Sequence, residues 1–210
     1  MGAAARSPGR SVEQPAGPAD PLPLAGPRVR LRRLAATDLA AFQAYRHDAE
    51  VGRWQGWEPQ ADDAAAVFLA EMAAGPFCPA GAWCQVGIAD AASDRLVGDI
   101  GLHLAADATS LDIGFTLARA AQGRGLAAEA VALALQAVWA HTAAQRVVAV
   151  TDARNVASVR LLQRLGFRCL ATLDAVFRGA ACQEHHFEHY RPGAGSWDCL
   201  SHSHAKPALG

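Results

Sequence analysis

The stretch from Ile113 to Ala134, IGFTLARAAQGRGLAAEAVALA, constrains this chain more than any other. Leu111, Ile113, Phe115 and Leu117 alternate with Asp112, Gly114 and Thr116, the period of a β-strand. Gln122-Gly123-Arg124-Gly125 then breaks the pattern. Beyond the break, Leu126, Ala130, Leu133 and Ala137 recur at helical spacing, and so do Val131, Leu135, Val138 and Trp139. Two adjoining apolar stripes make a face wide enough to pack against a sheet. The expected unit is a strand, a glycine turn and a long helix.

The turn has a chemical use and a plain one. A helix start presents unpaired N–H groups and the positive end of the peptide dipoles. Glycines let a phosphate approach that backbone, and Arg124 adds a cation. A tight chain reversal with no ligand is the other reading of the loop taken alone.

The remaining chain bounds what this unit belongs to. Its 210 residues allow one domain with tails. A formal net charge of −1 argues against nucleic acid as the main partner, because phosphate contacts need clustered cations. No apolar run is long enough to cross a bilayer, and Arg6 and Arg10 are followed by no apolar segment of the secretory kind. Cys78, Cys84, Cys169, Cys182 and Cys199 are odd in number and include no CxxC pair, so they are expected as reduced, mostly buried thiols in a cytoplasmic protein. His185, His186 and His189 with Glu184 and Glu188 have ligand chemistry. Neighbours in a strand point to opposite faces, however, so no metal is expected. Ser201-His202-Ser203-His204 reads as a solvated tail.

Residues 1–27, rich in Pro, Gly and Ala, read as a disordered leader; 28–191 as the domain; and 192–210 as a flexible tail. Val29–Leu34 is a first strand. Thr37 is the expected N-cap of a helix running to about His47, with Asp38 in its first turn. A second helix covers 61–74 and stops at Gly75-Pro76. Strands follow at 82–90, 96–104 and 110–118, joined by links short enough for antiparallel hairpins, with Trp83 expected in the core. After the long helix, Arg146–Thr151 is a strand, and a strand–helix–strand connection makes it parallel to 110–118. A helix from Asn155 ends at Gly166, and 167–177 with 182–190 form a closing hairpin around Arg178-Gly179.

The order β-α-α-β-β-β-α-β-α-β-β resembles the Gcn5-related N-acetyltransferases. Gln122-Gly123-Arg124-Gly125-Leu126-Ala127 matches that family's Q/R-x-x-G-x-G/A pyrophosphate loop. Asn155, Ser158 and Gly166-Phe167 match its N-x-x-[A/S]…G-F helix signature. DIGFTLARAAQGRGLAAEAV, with RLRRLAATDLAAF and LVGDIGLHL, is similar to the branch that acetylates ribosomal-protein N-termini. The resemblance implies an α/β fold of the α+β kind. It has a mixed, mostly antiparallel sheet of about seven strands, a splayed parallel pair in its middle, and about four flanking helices.

The resemblance also implies acetyl transfer from acetyl-CoA to an amine, in a ternary complex. Amides from Gln122 to Ala127 (Gln122, Gly123, Arg124, Gly125, Leu126 and Ala127) would hold the pyrophosphate. Main-chain groups of Phe115, Thr116 and Leu117 would pair with pantetheine in the splayed gap. Asn155 would contact the cofactor, cap its helix, or both. Many relatives place a Tyr seven residues after this Asn to protonate the thiolate. Here Leu162 stands there, which leaves Ser158 as the proton donor, against a plain helical role. Asp112 is the candidate general base if partial burial raises its pKa, or else a carboxylate that orients the substrate ammonium. His103 and Asp99, on one face of the neighbouring strand, are second-line candidates for base or substrate contact. Trp54, Trp57 and Glu58 would border the acceptor pocket, where aromatics and a carboxylate suit a cation; the plain reading is two rings capping the core. The partners are acetyl-CoA and an amine acceptor, with no nucleic acid, no membrane and an open option of a homodimer.

Two other classes remain. A CoA-binding regulatory module would share the loop without the chemistry. Gly123-x-Gly125-x-x-Ala128 also fits a dinucleotide fingerprint, with Asp152 as its acid, but an oxidoreductase of that kind needs repeated β-α-β units.

Overall fold

The computed structural model describes residues 20–193. The chain forms one eight-stranded sheet in the order β1-β2-β3-β4-β5-β6-β8-β7, antiparallel throughout except for β5 and β6. β1 is Leu24–Ala25, β2 Val29–Arg32, β3 Trp83–Asp90, β4 Leu96–Leu104 and β5 Ser110–Leu117. β6 is Arg146–Asp152, β7 Arg168–Phe177 and β8 Ala180–Tyr190. The helices are α1 Leu39–Arg46, α2 Ala49–Gly52, α3 Asp62–Ala74, α4 Leu126–His141 and α5 Val156–Arg164.

The mixed sheet with one parallel pair matches the expected fold class, with an extra strand and an extra helix. The extra helix, α2, is one turn capped by Asp48, whose side chain accepts from Glu50 N. The extra strand, β1, lies within the stretch expected as leader: Leu24 pairs with Leu31 and Ala25 with Arg30. Asp20 Oδ2 also accepts from Arg33 Nη2 at 2.8 Å. The rest of the leader, the tail from 194 onward, Cys199, His202 and His204 lie outside the described residues.

Both faces of the sheet are covered, unequally. On one face Ile88, Ile100, Leu102, Leu111, Val147 and Phe187 pack with Ala130, Val131 and Val138 of α4, and Leu162 of α5 joins them. The two stripes read from α4 are therefore both used. On the other face α1 and α3 cover a smaller area with Leu34, Phe42, Tyr45, Ala65, Leu69 and Leu96. Helix α1 is tied down by a buried polar cluster. Asp99, 1% exposed, accepts from Tyr45 Oη at 2.5 Å, Arg46 Nη2 at 2.9 Å and Gln85 Nε2 at 2.7 Å. Burial, and then the Asp99 carboxylate, push the Tyr45 hydroxyl well above its ordinary pKa.

Three local expectations are corrected. Asp38, not Thr37, takes the N-cap position of α1, because a 3-10 turn over Ala36–Asp38 precedes the helix; its carboxylate accepts from Ala35 N at 2.8 Å and Arg32 Nη1 at 2.7 Å rather than from α1. Trp83 is 55% exposed rather than core, because β3 starts beyond the cover of α1 and α3; its ring lies on that of His103, centroids 5.2 Å apart. The cysteines divide: Cys78 and Cys84 are buried, with sulfurs 3.9 Å apart, while Cys169 is exposed and Cys182 half-buried on the thinly covered hairpin β7–β8. That hairpin turns at Arg178 and Gly179, both at positive φ, as a two-residue turn matched to strand twist requires.

Candidate active site

The parallel pair is short. Ser110, Leu111 and Asp112 of β5 pair with Arg146, Val147 and Val148 of β6. β5 then continues five residues along β4 without β6, which pairs instead with β8 as far as Asp152. The two strands therefore diverge, and one edge of β5 from Ile113 to Leu117 lacks a strand partner. Unpaired main-chain N–H and C=O groups need partners from side chains, water or a ligand. Gln55 supplies one by donating from Nε2 to Phe115 O at 3.3 Å, and Gln122 Nε2 donates to Leu117 O at 2.9 Å.

The glycine loop closes the wide end of this gap. Gly123 and Gly125 have φ of +72° and +76°, the left-handed region that side chains other than glycine enter at a cost. Gly125 immediately precedes α4, so the free N–H groups of the first helical turn open toward the gap. A brace from the far edge of the domain sets the loop. Arg28 Nη1 donates to Arg124 O at 2.7 Å, while Arg28 Nε and N donate to Glu129 Oε2 and Oε1 at 2.8 and 2.7 Å. With Arg124 O held behind and Gln122 N donating to Arg119 O at 3.1 Å, the amides from Gly123 onward are those left for the front. Burial pushes the Glu129 carboxyl upward, but hydrogen bonds from Arg28 and Val29 outweigh it and hold the group below its ordinary pKa.

Together these elements enclose a cavity of about 450 Å³. Phe115, Thr116, Leu117, Gln122, Gly123, Gly125, Leu126 and Ala127 line it, with Asn155 and Ser158 opposite and Trp54 at the mouth. The structure thus brings together most of the residues expected at the site. Asn155 caps α5, its Oδ1 accepting from Ser158 N at 3.2 Å, which places both at one corner of the cavity. A second cavity, of about 460 Å³, opens between β2 and α1, where Arg32 pairs with Asp38 and Asp94.

Other expected residues stand apart. Arg124 is not a wall of the cavity. Trp57 packs under the loop with its ring 4.4 Å from the Arg46 guanidinium. Glu58 turns outward to Arg178 Nη1 at 2.8 Å, and Arg178 Nη2 donates to Gln55 O and Trp57 O at 3.1 and 2.8 Å, so the hairpin tip is strapped to the α2–α3 loop. Asp112 lies in the paired part of β5 with its side chain 57% exposed and His103 Nδ1 3.3 Å away. Asp112 and His103 both lie outside the cavity.

Four polar or charged wall residues were not singled out from the sequence: Glu50, Gln55, Arg160 and Arg164. The arginines are four apart on α5 and share a face with Ala157 and Leu161, also on the wall, so helical spacing groups these with each other but not with Ser158, two residues from Arg160. Gln55 carried no signal, because its partner is a main-chain carbonyl 60 residues away. Among the described residues no three His, Cys, Asp or Glu side chains are arranged to hold a metal. His185 Nδ1 is 2.8 Å from Thr172 Oγ1, while His189 lies between the rings of Trp139 and Phe167. The single parallel pair also lacks the repeated units of a dinucleotide fold, and Asp152 is taken by Arg154 at 2.6 Å.

A family model described as an acetyltransferase (GNAT) domain matches residues 28–168. No curated protein matches. Solved structures share the fold at low identity. An acetyltransferase of the GNAT family from Bacillus anthracis is 17% identical, with 81% of this chain and 99% of that one covered at a TM-score of 0.71. A spermidine N-acetyltransferase from Vibrio cholerae, in complex with CoA and spermine, is 18% identical, with 78% and 95% covered at 0.68. A microcin C7 self-immunity acetyltransferase, in complex with acetyl-CoA and AMP, is 13% identical, with 79% and 93% covered at 0.66.

Proposed function

The chain belongs to the acetyltransferase (GNAT) family, and from that premise we propose that it moves the acetyl group of acetyl-CoA directly onto a primary amine, of a protein N-terminus or a small molecule, within a ternary complex. One observation carries this reading: β5 and β6 part after Asp112 and Val148, directly beside a glycine loop that opens a helix. Pantetheine contains amides, and the unpartnered edge of Ile113–Leu117 is a ladder for them. The loop and the N-terminus of α4 meet the pyrophosphate. Arg160 and Arg164 add positive charge on the wall formed by α5.

In the proposed reaction the free amine attacks the thioester carbonyl carbon. A C–N bond forms, the C–S bond breaks, the nitrogen loses a proton and the CoA thiolate gains one. Main-chain N–H groups at the parting of the strands stabilise the oxyanion. Ser158, on the cavity wall, is the proton donor to the thiolate. Leu162 is 1% exposed in the core and offers none. Asp112 is about four residues along β5 from Thr116, roughly 13 Å at strand rise, so its proposed role is to orient the acceptor, and water takes the amine proton. Most of the rate enhancement then comes from positioning and oxyanion stabilisation. The unpaired cysteines fit a cytoplasmic enzyme.

The test is a panel of amines incubated with acetyl-CoA, read by thiol release and by the acetyl mass increment on the amine. Transfer to at least one amine supports the reading. Saturable acetyl-CoA binding with no transfer to any amine would make the chain a CoA-binding regulatory module instead.

A further inference from the structure

We infer that the open face of β3, β4 and β5 beside the gap is a docking trough for the distal ammonium group of a linear diamine or polyamine acceptor, held by Trp83 and Asp112. The inference rests on the acetyltransferase reading and names its acceptor class.

Three rows of cross-strand neighbours run across this face. Trp83, His103 and Asp112 form the outer row, Gln85, Gly101 and Gly114 the middle one, and Gly87, Asp99 and Thr116 the inner one. One shared face is confirmed by contact: His103 touches both Trp83 and Asp112, and Gln85 touches Asp99. The middle row is bare at Gly114 and covered at Gly101. A Cβ on Gly114 would meet nothing within 4 Å, and one on Gly101 would press on Gln85 Oε1 at 3.1 Å and the Trp83 ring at 3.3 Å. A channel floored by Gly114, with Gln85 and Trp83 over Gly101 as its side, therefore leads along β5 from Thr116, on the cavity wall, to Asp112.

The ends of the channel differ in what they have to spare. At the inner end Asp99 is buried and spent on Tyr45, Arg46 and Gln85. At the outer end the Asp112 side chain is 57% exposed, with His103 its one polar partner among the described residues, while Trp83 is 55% exposed. The row continues through Val148 to Glu188, which is committed to Arg146 at 2.8 Å. Asp112 has acceptor capacity for an ammonium ion, and Trp83, across His103 in the same row, adds an exposed aromatic surface for a cation or its methylene chain.

Geometry selects a linear amine. The four residues from Thr116 to Asp112 span roughly 13 Å, so an acceptor whose reacting nitrogen is in the gap must carry its second cation about that far along. β3 and β4 are paired on both sides, and the open edge of β5 is taken by pantetheine in the proposed complex, so the floor leaves a peptide backbone no main-chain partners. A flexible chain of methylenes with a cation at its end needs none.

The experiment compares unbranched diamines of increasing length, each against the monoamine of equal length, by kcat/KM with acetyl-CoA saturating. The expected result is a preference for the diamine that appears only beyond a threshold length. Asp112→Asn and Trp83→Ala should each reduce that preference about tenfold, through KM. Gly114→Leu should fill the channel and penalise long diamines more than short ones. A diamine preference independent of length would overturn the trough. So would an Asp112→Asn loss that falls on kcat for monoamine and diamine alike, since that makes Asp112 the base. A peptide α-amine acetylated faster than any diamine, with the same dependence on Trp83, would overturn the polyamine as its occupant. Acetyl-CoA binding without transfer to any amine would instead bring down the catalytic reading on which the trough depends.

Discussion

Arg28 and Glu129, 101 residues apart, are joined by hydrogen bonds from both the main chain and the guanidinium of Arg28, and the same guanidinium holds the carbonyl of Arg124 in the glycine loop. The residue just before β2 thus braces the loop from behind. Arg28→Ala should leave the fold intact, because Arg28 N and Val29 N still reach Glu129. Acetyl-CoA should bind about tenfold more weakly, a difference of about 1.4 kcal/mol. Calorimetric titration measures this, and an unchanged Kd would show that the loop holds its shape unaided.

The two loop glycines should respond differently. A side chain at Gly125 needs φ of +76° and comes within 3.4 Å of Arg28 Nη2, whereas one at Gly123 needs φ of +72° but meets open space. Gly125→Val should abolish acetyl-CoA binding. Gly123→Ala should cost about 1–3 kcal/mol of stability from backbone strain and keep measurable binding. Equal binding by a folded Gly125→Val protein would remove the phosphate-loop assignment.

Asn155 and Ser158 share a corner of the cavity but separate in their effects. Asn155→Ala removes the cap of α5, at about 1 kcal/mol, which lowers Tm by about 2–4 °C in a domain of this size. Ser158→Ala keeps its N–H and hence the cap. It should lower kcat several-fold with little change in Tm or acetyl-CoA affinity, as expected where the leaving thiolate needs only modest help. A Ser158→Ala enzyme with unaltered kcat would leave the thiolate to solvent.

Stability should fall on mild acidification, and His189 predicts where. Burial holds this imidazole below the ordinary histidine pKa, and its Nδ1 is buried without a partner. The unfolded chain therefore binds the proton more readily than the folded one. The contribution is complete above about pH 6.5 and is lost progressively as pH drops below that value. His189→Phe should flatten the dependence of Tm on pH between about 7 and 5. A slope unchanged by the substitution would assign the effect to other groups.

The N-terminal boundary can be tested by truncation. Removing residues through 27 strips β1 from the sheet and Asp20 from Arg33, and it uncovers the core where Leu22 and Leu24 pack. Such a protein should melt measurably lower than one that starts at residue 20. Equal Tm values would return the boundary to residue 28.

Much of this was legible from the sequence. The alternation of 111–117 and the stripes of 126–139 are local patterns, set by which side chains must leave water, and the structure keeps them as β5 and α4. Gly123, Gly125 and Asn155 were legible for a related reason: positive φ and helix caps are properties of a residue and its immediate neighbours. The fold class followed, because short links and one crossover leave few topologies. What only the tertiary structure decided were relationships between distant segments. Alternation shows that Asp112 and His103 each face away from their apolar neighbours, but only the register of β4 with β5 makes them a pair, and only the extent of helical cover leaves them in solvent. Trp83 is apolar by composition and exposed by position. Arg28, Gln55 and Arg178 meet main-chain carbonyls about a hundred residues away or, for Gln55, sixty. A main-chain carbonyl is the same at every residue, so no pattern in the sequence marks which of them a side chain will find.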